Sequence, residues 1–196
     1  MSVREIVQIG HPVLRERARE LAPDEIASQE TQRLIDDLVE TMRAAGGAGL
    51  AAPQVGVPLR IFVVEVRDNP RYPYKPAIPL RVLVNPVVRP LGDGTFPSYE
   101  GCLSVPNLRG LLDRHADVEV SYTDRDGAEV VERVTGLSAG TFQHELDHLD
   151  GILFVDRVTD PRTLTTWDEF RRRHEAAWLE QVRGQIARAS VESRTT

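Results

Sequence analysis

The chain has 196 residues, 41% of them hydrophobic and 28% charged, and a formal net charge of -6. That length supports one domain with a sizeable core, the negative balance weighs against a nucleic-acid binder, and no stretch approaches the roughly 20 apolar residues that cross a bilayer. A single cysteine excludes an intramolecular disulfide, and the N-terminus has no apolar run of signal-peptide length, so a reducing cytoplasm is the expected location.

In chain order, residues 1–23 read as an irregular arm with turns at Gly10-His11-Pro12 and Pro23-Asp24. Leu34, Ile35, Leu38, Val39 and Met42 recur at helical spacing and predict a helix over about 28–45, ended by Gly46-Gly47. Residues 47–56 are small residues around Pro53. By composition they suit a tight connector as well as a backbone that a ligand approaches closely, with Gln54 offered as an amide donor. Residues 59–66 read as a buried strand and 68–79, with four prolines and two tyrosines, as a loop. Residues 80–88 predict another strand, with Pro86 at an edge or bulge, and 91–97 a turn.

Glu100-Gly101-Cys102-Leu103-Ser104-Val105-Pro106 holds the only thiol. A lone cysteine is more often buried filler than a ligand, but Gly101 permits close approach and Pro106 argues for an extended segment that leaves the Leu103 N–H free. His11 and His115 read as surface residues. Val118, Val120 and Tyr122 alternate with polar residues, and Asp126-Gly127 turns the chain into a partner strand over 128–134. A helix is expected over about 138–150, with Ser138 as N-cap and Gly151 as stop, then a short strand over 152–155. From about Pro161 the chain reads as a terminal helix whose apolar stripe is Trp167, Phe170, His174, Trp178, Val182 and Ile186. Arg171-Arg172-Arg173 is expected on a solvated face, with contact to ribosomal RNA the less favoured reading, and 189–196 is expected to fray.

The chemistry concentrates in His144-Glu145-Leu146-Asp147-His148. Residues four apart share a helix face, so both imidazoles can address one metal ion while Glu145 reaches a water. Two imidazoles do not complete a zinc- or iron-type site, which takes a third protein ligand and keeps one position open. A metalloprotease would supply it downstream, where Glu169 and His174 stand in no extended motif. Cys102 upstream fits better, giving one thiolate and two neutral imidazoles. Glu145 then passes a proton from water to a leaving nitrogen, and the Leu103 N–H and Gln54 amide are candidate donors to an oxyanion.

Three stretches together resemble the peptide deformylase family: Gly47-Ala48-Gly49-Leu50-Ala51-Ala52-Pro53-Gln54, Glu100-Gly101-Cys102-Leu103-Ser104, and Gln143-His144-Glu145-Leu146-Asp147-His148. The resemblance covers roughly residues 4–160. It implies removal of the formyl group from the formyl-methionine of new polypeptides, with Cys102, His144 and His148 holding one divalent ion, usually Fe(II), with Zn or Ni in some members. Glu145 would move the proton and Gln54 with Leu103 would hold the oxyanion. Ala48, Gly49, Glu100, Gly101, Arg109, Leu137 and Gly140 would serve the substrate side, Glu100 and Arg109 as a pair that orients the site. Gly140 stands where the family has a bulkier side chain, and Ala48 where it often has a larger aliphatic one, which would widen the methionine pocket. The implied fold is α+β: antiparallel β-strands wrapped around a central metal-binding helix, with an N-terminal helix and a C-terminal helix, residues 1–196 forming one catalytic domain with a helical extension over 161–196. The partners implied are the formylated nascent peptide and the ribosome, with no membrane and no other nucleic acid. A metallopeptidase of the His-Glu-x-x-His type is the alternative.

Overall fold

The computed structural model describes residues 2–67, 69 and 71–193. Helix α1 (Gln29–Ala44) starts where the Ser28 side chain accepts from the Thr31 N–H, and buries Leu34, Ile35, Leu38 and Met42. It ends at Gly46, whose φ of +62° favours glycine. Strands β1 (Gly49–Ala51), β2 (Ile61–Val66), β3 (Ile78–Pro90), β6 (Asp117–Thr123), β7 (Glu129–Thr135) and β8 (Ser190–Ser193) form one antiparallel sheet in the order β1-β2-β3-β6-β7-β8. Strands β4 (Thr95–Cys102) and β5 (Val105–His115) form a separate two-stranded ribbon.

Every residue of β2 is buried because both faces are covered. Ile61 and Val63 pack with the apolar side of α1. Phe62 and Val64 pack with Ala139, Phe142 and Leu149 of helix α2 (Gly136–Leu149). The period-two alternation of a strand thus sends successive residues to two different helices, and the unbroken apolar run follows. In β3 the register shifts between Val84 and Val87, around Asn85 (φ +51°) and Pro86. This is the bulge expected of a proline that cannot donate to the ladder.

Several expectations change. Helix α2 opens at Gly136, with Thr135 as its cap residue and no side-chain cap bond, so Ser138 lies inside the helix. Residues 152–155 form no strand: Phe154–Arg157 is a helical turn, its Phe154 buried with Leu153 beside Cys102. The terminal helix runs as Trp167–Glu169, a π-helical turn Phe170–His174, and helix α3 (Glu175–Ala187). Trp167, Phe170, Trp178 and Val182 are buried, whereas His174 is exposed with its ring stacked on Tyr99. Ser190–Ser193 pairs with β7 rather than fraying. Residues 194–196, expected to fray, lie outside the described residues, as do Asp68 and Pro70 of the expected loop.

Candidate active site

Helix α2 carries Thr141, His144, Glu145 and His148 at offsets of three, four and seven, which places all four on one face. Cys102 reaches that face because the β4–β5 register shifts between Gly101 and Cys102 just before the hairpin turns. The thiol is buried, its Sγ 3.3 Å from His148 Nε2, and the ligand atoms of Cys102, His144 and His148 all lie within 4.8 Å of one another. One soft sulfur and two imidazoles converging in a buried spot suit a single transition-metal ion or zinc. Burial disfavours charge on the His144 ring, yet the Cys102 sulfur and the Glu100 carboxylate outweigh it and hold its proton well above the ordinary histidine range. Burial, with His144 alongside, pushes His148 well below that range. Its Nδ1 is buried with no hydrogen-bond partner among the described residues.

A buried ionic chain fixes His144 from behind. Glu100 Oε2 lies 2.8 Å from His144 Nδ1, which leaves Nε2 for the ion. Arg114 donates to both Glu100 oxygens at 2.8 Å and to Asp147 Oδ2 at 2.7 Å, and Arg157 also binds Asp147. Burial opposes ionisation of Glu100, but Arg114 overcomes it and holds the carboxyl well below the usual range. The pair therefore forms with Arg114 and not with Arg109, which corrects the expectation. Arg109 faces the other way, sandwiched between the rings of Trp167 at 4.2 Å and Phe170 at 4.1 Å. It donates to the Tyr99 carbonyl and, at 3.1 Å, to the Tyr74 hydroxyl, while its Nε and Nη1 are buried without partners among the described residues.

Glu145 lies against the backbone of Gly49. A Cβ at Gly49 would sit 2.6 Å from Glu145 Cδ, so only glycine admits the carboxylate there. One Glu145 oxygen is buried without a partner among the described residues, and burial raises the pKa of the carboxyl to about 7. Gln54 is held by its Oε1, which accepts from the Ala51 N–H at 2.9 Å. Its Nε2 points at Cys102 Sγ at 3.4 Å and Ser104 Oγ at 3.1 Å. Leu103 occupies the hairpin turn, where its N–H joins none of the loop and turn hydrogen bonds among the described residues.

Ala48, Gly49, Gln54, Glu100, Gly101, Cys102, Leu103, Arg109, Leu137, Gly140, His144 and Glu145 line one cavity, with His148 behind the thiol. The sequence reading missed Tyr72, Tyr74, Lys75, Ser98, Tyr99 and Thr141 in that lining and placed Trp178 only in a stripe. The two tyrosines in the proline-rich loop were the available signal, since aromatic residues in a loop need something to pack on. Here Tyr72 packs on Trp167 and Tyr74 on Trp178, so the loop and the terminal helix close the cavity together.

A family model described as polypeptide deformylase matches residues 3–163. The chain is 43% identical over 166 residues to peptide deformylase 2 of a Nostoc species, covering 85% of this chain and 92% of that one. It is 40% identical over 195 residues to peptide deformylase 1 of Prochlorococcus marinus, covering 99% of each. Among solved structures it is similar to a class I type b peptide deformylase from Acinetobacter baumannii with Met-Ala-Ser bound, at a TM-score of 0.77 and 38% identity, over 81% of this chain and 100% of that one. It is also similar to a peptide deformylase from Synechococcus elongatus in complex with actinonin, at a TM-score of 0.72 and 37% identity, over 82% of this chain and 83% of that one.

Proposed function

The chain belongs to the polypeptide deformylase family, a metal-dependent hydrolase that removes the N-formyl group of nascent polypeptides, and from that premise we propose how its residues divide the work. The observation that carries the reading is the convergence of Cys102, His144 and His148 within 4.8 Å, beside Glu145. These three would hold one divalent ion. Fe(II) is the reading favoured by the family resemblance, and the same ligands accept Zn or Ni. When bound, the ion supplies Lewis-acid activation of water near neutral pH.

Glu145 takes the proton of the attacking water and returns it to the leaving nitrogen, releasing formate. A carboxyl raised by burial to about 7 can both accept and donate near neutrality. Gln54 Nε2 and the Leu103 N–H donate to the oxygen on which charge develops. Strand β1 is the outer strand of its sheet, so its free edge at Gly49 can pair with the substrate backbone as an added strand. Ala48, Leu137 and Gly140 surround the first side chain. Arg109, held flat between two rings, closes the cavity on the side of Gly101 and Tyr99. Residues 1–196 act as one catalytic unit, since the extension supplies Trp178 to the same cavity.

The metallopeptidase reading loses support, because its downstream ligand candidates are engaged elsewhere. Glu169 pairs with Arg172 and Arg173, and His174 stacks on Tyr99. The same pairing blunts the arginine run as a patch for ribosomal RNA. A cytoplasmic place of action fits a thiol ligand that must stay reduced. Among the described residues no helix is long and apolar enough to cross a membrane. Formate release from formyl-Met-Ala-Ser, assayed anaerobically after Fe(II) loading, tests the proposal. Cleavage inside an unformylated peptide, with no formate from the formylated one, would overturn it.

A further inference from the structure

The cavity contains a cation that formyl transfer to water does not require. Residues Tyr72–Lys75 form a tight turn in which the Lys75 N–H donates to the Tyr72 carbonyl at 3.0 Å, with Pro73 in the second position. The turn sends the Lys75 side chain across to α2, where Nζ donates to Thr141 Oγ1 at 2.9 Å. Thr141 precedes His144 by three residues and Glu145 by four on one helix face, so the lysine's anchor stands about 5 Å along the helix from the residues of the reacting centre. Gly140 and Ser98 border the same space: a Cβ on Gly140 would lie 3.8 Å from the Ser98 hydroxyl.

An ammonium carries three donors. Among the described residues Thr141 is its one hydrogen-bond acceptor, and the Tyr72 ring, 5.1 Å away, is a cation–π neighbour. Here the remaining donors must be met by water or by whatever fills the cavity. A thioether is a weak acceptor, so an unoxidised methionine strips water from the ammonium and returns little. A sulfoxide oxygen on a side chain of the same length would replace that water. A carboxylate would meet the charge too, but Glu100 and Glu145 already line the cavity and repel it.

We propose, resting on the deformylase reading of this site, that Lys75 makes the first-residue pocket selective for a side chain of methionine's length ending in a neutral hydrogen-bond acceptor, methionine sulfoxide being the fitting case. Lys75 is then a specificity-determining residue, and the chain releases formate from polypeptides whose first methionine has been oxidised.

The test measures kcat and KM of the metal-loaded full chain on formyl-Met-Ala-Ser, its methionine sulfoxide counterpart and its norleucine counterpart. The unaltered protein should turn over the sulfoxide peptide with a higher kcat/KM than the norleucine peptide. Lys75→Met should lower that ratio by about tenfold or more, mostly through KM. Lys75→Gln, which keeps N–H donors, should preserve part of it, and serves if the methionine variant does not fold. Norleucine preferred over sulfoxide by the unaltered protein overturns the inference. So does a Lys75→Met variant that slows all three peptides equally, because the ammonium would then be acting on Glu145 and not on the side chain. Formate from formyl-Met-Ala-Ser with an unchanged ratio in both variants sinks the role of Lys75 alone. No formate from any of the three peptides takes the deformylase reading down with it.

Discussion

Arg114→Met tests the ionic chain behind His144. Arg114 is 3% exposed and makes three charge-assisted hydrogen bonds, two to Glu100 at 2.8 Å and one to Asp147 at 2.7 Å. Methionine fills similar space with no charge. Asp147 keeps Arg157, but Glu100 keeps only His144. Removing the main charge partner of a buried carboxylate costs about 3–5 kcal/mol. Loss of the partner that orients a metal-ligating histidine lowers metal affinity by about 10–100-fold. Urea unfolding of the loaded protein reads the first quantity, and competition with a chelator reads the second. The pH dependence has a definite sign. Glu100 is depressed below its ordinary value of 4.5, so its contribution is present above that value and lost as pH falls through the lower folded-state value. Acid unfolding of Arg114→Met should therefore begin at higher pH. Glu100→Gln added to Arg114→Met should recover part of the stability, because the orphaned charge is gone, without restoring metal retention. The reasoning fails if Arg114→Met is as stable and as metal-retentive as the unaltered chain, or if Arg109→Met loses metal to the same extent.

Other consequences concern the same elements. In the metal-free protein, Glu145 raised from 4.5 to about 7 contributes stability that is complete below pH 4.5 and lost as pH rises through 7. The unaltered chain should thus fall by about 3 kcal/mol relative to Glu145→Gln between pH 4.5 and 8, at about 1.36 kcal/mol per pKa unit; a pH-independent difference in urea unfolding would count against burial as the cause. Gly49→Ala would set its Cβ 2.6 Å from Glu145 Cδ, and should cut kcat by about 100-fold with metal content unchanged. Cys102→Ala should lose bound metal on dialysis while the other variants retain more, and full occupancy by metal analysis would remove the thiol from the ligand set. Gly136 sits at φ +59° with Ala189 N only 2.9 Å from its would-be Cβ. Alanine there should cost at least about 1–3 kcal/mol of backbone strain, visible as a lower Tm, with kcat little changed.

The β4–β5 ribbon is the element that residue patterns served least well. Its residues read locally as a turn and an isolated thiol segment, because the ribbon is covered on both sides and carries buried arginines where an apolar alternation is looked for. Its even-numbered residues Phe96, Ser98, Glu100, Leu112 and Arg114 are buried, Glu100 and Arg114 ending against α2. Arg109 is buried on the opposite side by Trp167 and Phe170. Arg109 and Arg114 are five residues apart, an odd step that sends them to opposite faces of a strand. Glu100 is registered with Gly110, and Arg114 lies on its face while Arg109 does not. Choosing the partner of Glu100 therefore required the register, which no local pattern carries.

Local spacing was enough for helix α1 and its C-terminal stop, for the covered strand β2, and for two imidazoles and a carboxylate on one face of α2, because a helix or strand period is a property of a few consecutive residues. It also singled out the glycines beside Gln54 and the lone thiol as groups that a ligand could approach. Long-range placement put Cys102, already expected as the third ligand, against His148 across 46 positions, and it alone decided that Arg114 rather than Arg109 braces Glu100 and that a loop lysine lands beside Thr141. Those contacts join segments whose separation in the chain says nothing of their distance in space, and packing of the ribbon, α2 and the terminal helix around one cavity is what brings them together.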